Sequence, residues 1–142
     1  GIGYATFYRH YDSKEALLND VAKQQVDDLV RDAASVLNPS DSLAVCLHLC
    51  VYIESRWELW SALVKGGAAG AIKDELINEA RVIAAAWPGL DSDFPAELGI
   101  ALIVSATVEL IVWWVSQEQP LAAEKVADIY HRMIVAPAIA QW

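Results

Sequence analysis

A chain of 142 residues is one domain's worth, long enough to bury a real core. Its hydrophobic content of 56% exceeds the roughly 45–50% of an ordinary soluble domain, which predicts that some of the surplus buries against a second copy. A net charge of −9, taken alone, argues against binding a polyanion, and two cysteines exclude a disulfide framework. Nothing resembles a signal peptide, so a cytoplasmic protein is expected.

The chain opens with Gly1-Ile2-Gly3-Tyr4-Ala5-Thr6-Phe7-Tyr8-Arg9-His10-Tyr11, followed by Asp12-Ser13-Lys14-Glu15-Ala16-Leu17-Leu18. Phe7 and Tyr11 are one helical turn apart, with hydroxyls, a guanidinium and an imidazole on the other faces. Such a surface suits contact better than a core. From Gly1 to Lys23 the charges cancel, with Arg9, Lys14 and Lys23 against Asp12, Glu15 and Asp20, so the whole acidic excess lies beyond this stretch.

Over about residues 1–21 the run resembles the end of the helix-turn-helix of the tetracycline-repressor (TetR) family of transcriptional regulators. The resemblance implies that the Gly-apolar-small triplet is the turn, that the Thr-Phe-Tyr run is the recognition helix, and that Ser13-Lys14-Glu15 opens a long linking helix. Gly3 would start the recognition helix, and Tyr4, Ala5, Thr6 and Arg9 would face base edges. Tyr8, His10 and Lys14 would hold phosphates, as expected where hydroxyls and cations fix register on the backbone. Gly3 departs from the Ser or Thr common at its position and is a weaker cap. The family plan places two helices ahead of the turn, so roughly 40 upstream residues are expected to be absent from this sequence. It further implies a DNA-binding, ligand-responsive repressor: residues 1–22 as the remnant of the DNA-binding domain and residues 23–142 as a ligand-binding and dimerisation domain. In such a protein a small apolar or aromatic effector releases operator DNA.

Behind the motif, Asp12 and Glu15 have capping-box spacing. The linking helix is predicted over residues 13–37, with Leu17, Leu18, Val21, Ala22, Val26, Leu29, Val30, Ala33, Ala34 and Leu37 forming a stripe of 3.6 period. On the opposite face Lys23 with Asp27, and Asp27 with Arg31, stand at ion-pair spacing. Asn38-Pro39 ends the helix.

Residues 43–56 form a second helix, apolar on nearly all sides and therefore expected to be central. Cys46 and Cys50 share a face of it, with His48 pointing elsewhere, so they read as small core hydrophobes and no metal site is expected. Residues 57–64 make a further helix after a bend. Gly66-Gly67-Ala68-Ala69-Gly70 lacks the flanking strand and the Lys-Ser/Thr ending of a phosphate loop, and is expected to be a flexible connection.

A helix over residues 72–87 is predicted with Ile72, Leu76, Ala80, Ile83, Ala84 and Trp87 inward and Lys73, Glu75, Asn78, Glu79 and Arg81 outward. Pro88-Gly89 stops it. Asp91-Ser92-Asp93-Phe94-Pro95 then caps the most apolar helix, residues 96–117, with Pro95 in its first turn. Its membrane-length stretch carries Glu109 and has no basic flank, so an interface helix is expected in place of a span. The last helix covers residues 121–136.

No strand signal of any length is present, and the breakers divide the chain into short-looped helices, an all-α plan. In the resembling family the two closing helices meet their copies in a four-helix bundle, which implies a homodimer through residues 96–117 and 121–136. For the ligand pocket the sequence offers Tyr52, Arg56, Trp57, Trp60, Trp87, Glu109 and Trp113, aromatic walls with a few polar groups. Glu109, amid Val104, Ala106, Val108, Leu110, Ile111 and Val112, is expected to be paired, protonated or facing a cavity, with Arg56 or Arg81 as a partner. An enzyme is not expected, because His10, His48 and His131 are scattered among separate helices and no nucleophile motif is present; no cofactor is implied. The alternative is an all-α dimeric scaffold or a small-molecule-binding protein without a regulatory role.

Overall fold

The computed structural model describes residues 13–36, 40–86 and 93–140. Within them every regular element is a helix: α1 (Lys14–Ala34), α2 (Ser42–Ser55), α3 (Trp57–Lys65), α4 (Ala69–Ala86), α5 (Ala96–Val115), α6 (Ala123–Tyr130), a π-type turn at His131–Val135, and α7 (Ala136–Ile139). The protein is all-α, as its periodicities predict. The motif residues from Gly1 to Asp12, the break at Asn38-Pro39, and Trp87 with Pro88-Gly89, Asp91 and Ser92 lie outside the described residues.

α1 starts one residue later than the capping box suggests. Ser13 is the cap, its Oγ accepting from the Ala16 N–H at 3.1 Å, and Glu15 stands in the first turn where the helix dipole favours an acid. The helix then runs unbroken through the 22/23 position, burying Ala22, Val26 and Leu29 against α4, α2 and α3. The expected pairs along its outer face do not form. Lys23 reaches across to Glu75 of α4 (3.8 Å), and Arg31 pairs with Asp28 (3.2 Å).

Asp41 caps α2 by accepting from the Ala44 N–H (3.2 Å). The helix buries Cys46, Cys50, Tyr52 and Ile53, chiefly against α6. Burial pushes the Cys46 thiol up to about 11 and the Cys50 thiol up to about 12, so both stay protonated core groups. The expected all-round burial is corrected on one side, where Leu43, Leu47 and Val51 form an exposed stripe at i, i+4, i+8. Apolar composition cannot tell a covered face from an uncovered one.

The glycine run is a hydrogen-bonded helix stop. Gly67 N–H donates to Val64 O (3.2 Å) and Ala68 N–H to Leu63 O (2.9 Å), the paired bonds of a Schellman motif, with Gly67 at φ +88°. Leu63 and Ala68 pack together in the core beneath it. The tight closure lets α4 begin at Ala69, three residues before its predicted start. A side chain at Gly67 would be strained even though no atom lies near it, so Gly67→Ala is expected to cost about 1–2 kcal/mol by urea denaturation.

α5 presents two unlike faces. Ile100, Val104, Thr107, Val108, Ile111, Trp114 and Val115 are buried against α4 and α3, while Leu98, Leu102, Glu109 and Trp113 line the opposite side and are exposed. Pro95 stands at the cap position just before the first turn and gives it no side-chain hydrogen bond. It ends at Val115, where Ser116 Oγ and Gln117 Nε2 turn back to the carbonyls of Val112 and Trp113.

The closing helix departs most from expectation. α6 starts at Ala123, its first N–H donating to Glu54 Oε2 of α2 at 2.9 Å, a carboxylate placed at a helix N-terminus from a different element. After Tyr130 the helix widens through the π-type turn and continues past the predicted end into α7. Pro137 supplies no N–H to the ladder, and the widened turn directly precedes it. Inside, Tyr130 Oη and Thr107 Oγ1 are 2.8 Å apart, and Thr107 Oγ1 also reaches Ile103 O at 2.8 Å. Thr107 has one proton, so when it donates to Ile103, Tyr130 donates to Thr107.

Candidate functional site

The aromatic residues predicted as pocket walls do not converge. Trp60 is fully buried in the core of α3, with its Nε1 unpartnered among the described residues. Trp57 is half-buried and meets Trp114 edge-on, ring centroids 5.1 Å apart at 73°. Trp114, in turn, donates from Nε1 to Leu121 O at 2.9 Å. Trp113 points to the other side of α5 and is 46% exposed.

The expectation for Glu109 is also corrected. It shares the exposed face of α5 with Leu98, Leu102 and Trp113, because residues 98, 102, 109 and 113 recur close to one helical angle. Neither proposed arginine reaches it. Arg81 Nη2 binds Glu97 Oε2 at 3.0 Å, and Arg56 lies over the Tyr52 ring.

Tyr52 and Arg56 are the two pocket candidates that do come together. With Asp32 of α1 and Leu47, His48, Val51 and Ser55 of α2 they line an open cleft of about 340 Å³. Asp28 and Arg31 adjoin it on the α1 side. The cleft arises because successive positions on one side of α2 face the last turns of α1. Arg56 follows directly on α2, its backbone leaving helical geometry at φ −124° and ψ 38°, which aims the guanidinium back over Tyr52 at 3.8 Å. Arg56 Nη1 donates to Ser55 Oγ at 3.0 Å, and Ser55 Oγ donates to Tyr52 O at 2.7 Å.

The charges of the cleft are unequally committed. Asp28 accepts from Gln24 Nε2 (3.0 Å) and Arg31 Nη1 (3.2 Å), and Asp32 stands 3.4 Å from His48 Nδ1. Of the four arginines among the described residues, Arg31, Arg81 and Arg132 have carboxylate partners. Arg56 has none among the described residues. Burial raises the Tyr52 hydroxyl above its ordinary value, with the Arg56 charge acting in the opposite direction, so the phenol stays neutral.

A second cluster lies between α1 and α4, where carboxylate oxygens of Asp27, Glu75 and Glu79 gather within 4.8 Å of one another. Glu75 was expected outside, yet only 9% of it is exposed. Desolvation first, then the hydrogen bond and the charge of Asp27, raise the Glu79 carboxyl above its ordinary value. An acid raised on folding binds its proton more tightly in the folded chain, so its contribution is favourable at acid pH and is lost as pH rises through the folded value. Glu79→Gln is therefore expected to stabilise the protein at pH 7, with the gain vanishing near pH 4. Thermal melts of both proteins across that range are the check.

Lys14 is exposed in the first turn of α1, whereas Gly3, Tyr4, Ala5, Thr6, Tyr8, Arg9 and His10, the other residues assigned to DNA, lie outside the described residues. The sequence reading missed Asp32, Leu47, His48, Val51 and Ser55 as cleft residues. Their signal was positional, since residues 47, 48, 51, 52 and 55 recur on one side of a helix. No family model, curated protein or solved structure matches the chain.

Proposed function

We propose that the chain belongs to a ligand-responsive transcriptional regulator, a repressor of the tetracycline-repressor type whose effector releases operator DNA. The observation that carries the reading is α1. It is a single helix of 21 residues, about 31 Å long, that begins directly behind the motif at residues 1–12 and ends on the wall of the Arg56 cleft. A ligand that changes how α1 sits against α2 moves the far end of that helix, and with it the DNA-reading residues. Exposed Lys14 at the near end suits a phosphate contact.

A dimer is part of the proposal. A repressor of this kind presents two recognition helices about 34–36 Å apart, and the exposed apolar face of α5 offers a self-complementary surface for the second copy. Exposed Met133 on the closing helix adds to the apolar surface of that pair of helices.

The test uses the full-length encoded protein and a duplex selected from a random library. Arg9→Ala is expected to relax preference at one base step, costing about 1–3 kcal/mol there, while Lys14→Ala weakens all duplexes alike and flattens the salt dependence. Failure to enrich any duplex removes the DNA-binding reading and leaves a helical scaffold or a simple ligand carrier. A change of sequence preference in Lys14→Ala means that the roles are wrongly assigned.

A further inference from the structure

We infer that the cleft between α1 and α2 binds an amphipathic monocarboxylate, its carboxylate on Arg56 and its apolar body along Leu47 and Val51. This names the ligand class for the regulatory reading above, but its argument rests on the cleft alone.

Charge comes first. Each carboxylate at the cleft already has a cationic or imidazole partner, Asp28 with Arg31 and Asp32 with His48, whereas among the described residues the Arg56 guanidinium has a neutral hydroxyl and an aromatic face. The charged donor left without an anion is therefore the Arg56 guanidinium. A guanidinium held over the Tyr52 ring and bonded to Ser55 is already oriented, so a carboxylate gains two parallel hydrogen bonds with little ordering cost.

Shape and surroundings narrow the class. Leu47 and Val51, with Leu43 one turn beyond, expose an apolar strip that runs away from Arg56 along α2. A small inorganic anion would leave the strip uncovered, and a neutral apolar molecule would leave Arg56 without its anion. Asp28 and Asp32 stand close enough to disfavour a dianion, which selects a carboxylate over a phosphate monoester. An aryl or alkyl monocarboxylate satisfies all three conditions.

The experiment is isothermal titration of the chain with 2-naphthoate and with 2-naphthamide, which share a shape and differ in charge. We expect one 2-naphthoate per chain, with the amide bound at least about tenfold more weakly. Arg56→Gln should lose that discrimination by weakening naphthoate alone, Arg56→Lys should recover part of it, and Val51→Glu should weaken both probes. Arg56 and Val51 are exposed, so these variants keep the fold, which circular dichroism verifies. Equal binding of acid and amide, naphthoate affinity unchanged in Arg56→Gln, or no saturable naphthoate binding would each overturn the inference. Should naphthoate bind as expected yet leave operator affinity unchanged, the ligand assignment stands and the regulatory reading fails.

Discussion

Trp114→Ala is expected to remove about 3–5 kcal/mol of stability, the range for truncating a large buried aromatic, from a total that for such domains is only about 5–15 kcal/mol. Trp114 is 1% exposed, buttresses Trp57 edge-on, and satisfies Leu121 O at the turn into the closing helix. Its loss opens a cavity and removes the indole hydrogen bond to that carbonyl at once. Trp60 provides the internal comparison, because it is equally buried but its Nε1 has no partner among the described residues. Trp60→Phe deletes an unsatisfied donor, whereas Trp114→Phe deletes a satisfied one, a difference of about 1–3 kcal/mol in favour of Trp60→Phe. Urea denaturation followed by far-ultraviolet circular dichroism measures all three. Equal losses in the two phenylalanine variants would contradict the hydrogen-bond assignment.

Leu102→Glu is expected to convert the proposed dimer into a monomer. Leu102 is 63% exposed at the middle of the open face of α5, so the substitution costs the isolated chain almost nothing. In an isologous dimer the same position occurs twice about one axis, and each copy would bury an unpaired carboxylate on the face that already carries Glu109. Several kcal/mol across the two copies corresponds to weakening of about a thousandfold. Leu43→Glu on the exposed stripe of α2 supplies the control and should leave assembly unchanged. Sedimentation equilibrium at micromolar concentration distinguishes the outcomes, and a Leu102→Glu protein that remains dimeric places the interface elsewhere.

Much of the fold was legible because helix periods and stop signals are local. Asp41 at the start of α2, the bend at Arg56 and the stop after Lys65 follow from neighbouring residues, and the structure realises each of them. The failures on the helix faces are matters of which neighbour a face meets. Glu75 and Lys23 pair between α4 and α1, Glu54 caps a helix 69 residues away, and Glu109 emerges on an open side despite its apolar neighbours in sequence. Helical periodicity groups residues on a face without saying what covers it. The tryptophans misled for the same reason: Trp113 and Trp114 are adjacent in sequence, yet one is exposed and the other core. At the candidate site, Tyr52 and Arg56 could be named from residue type. That Arg56 has no carboxylate partner among the described residues became visible only once Arg31, Arg81 and Arg132 had found theirs.

Coupling of the Arg56 cleft to the proposed DNA-reading motif through α1 is tested directly by thermodynamic linkage. Operator affinity of the full-length protein is measured with and without saturating 2-naphthoate, and naphthoate affinity with and without operator. The account predicts that each ligand weakens the other by one common factor, about 5–150-fold, and that Arg56→Gln shifts the effect to higher naphthoate concentration. Saturation of the cleft at one naphthoate per chain with operator affinity unchanged would contradict it.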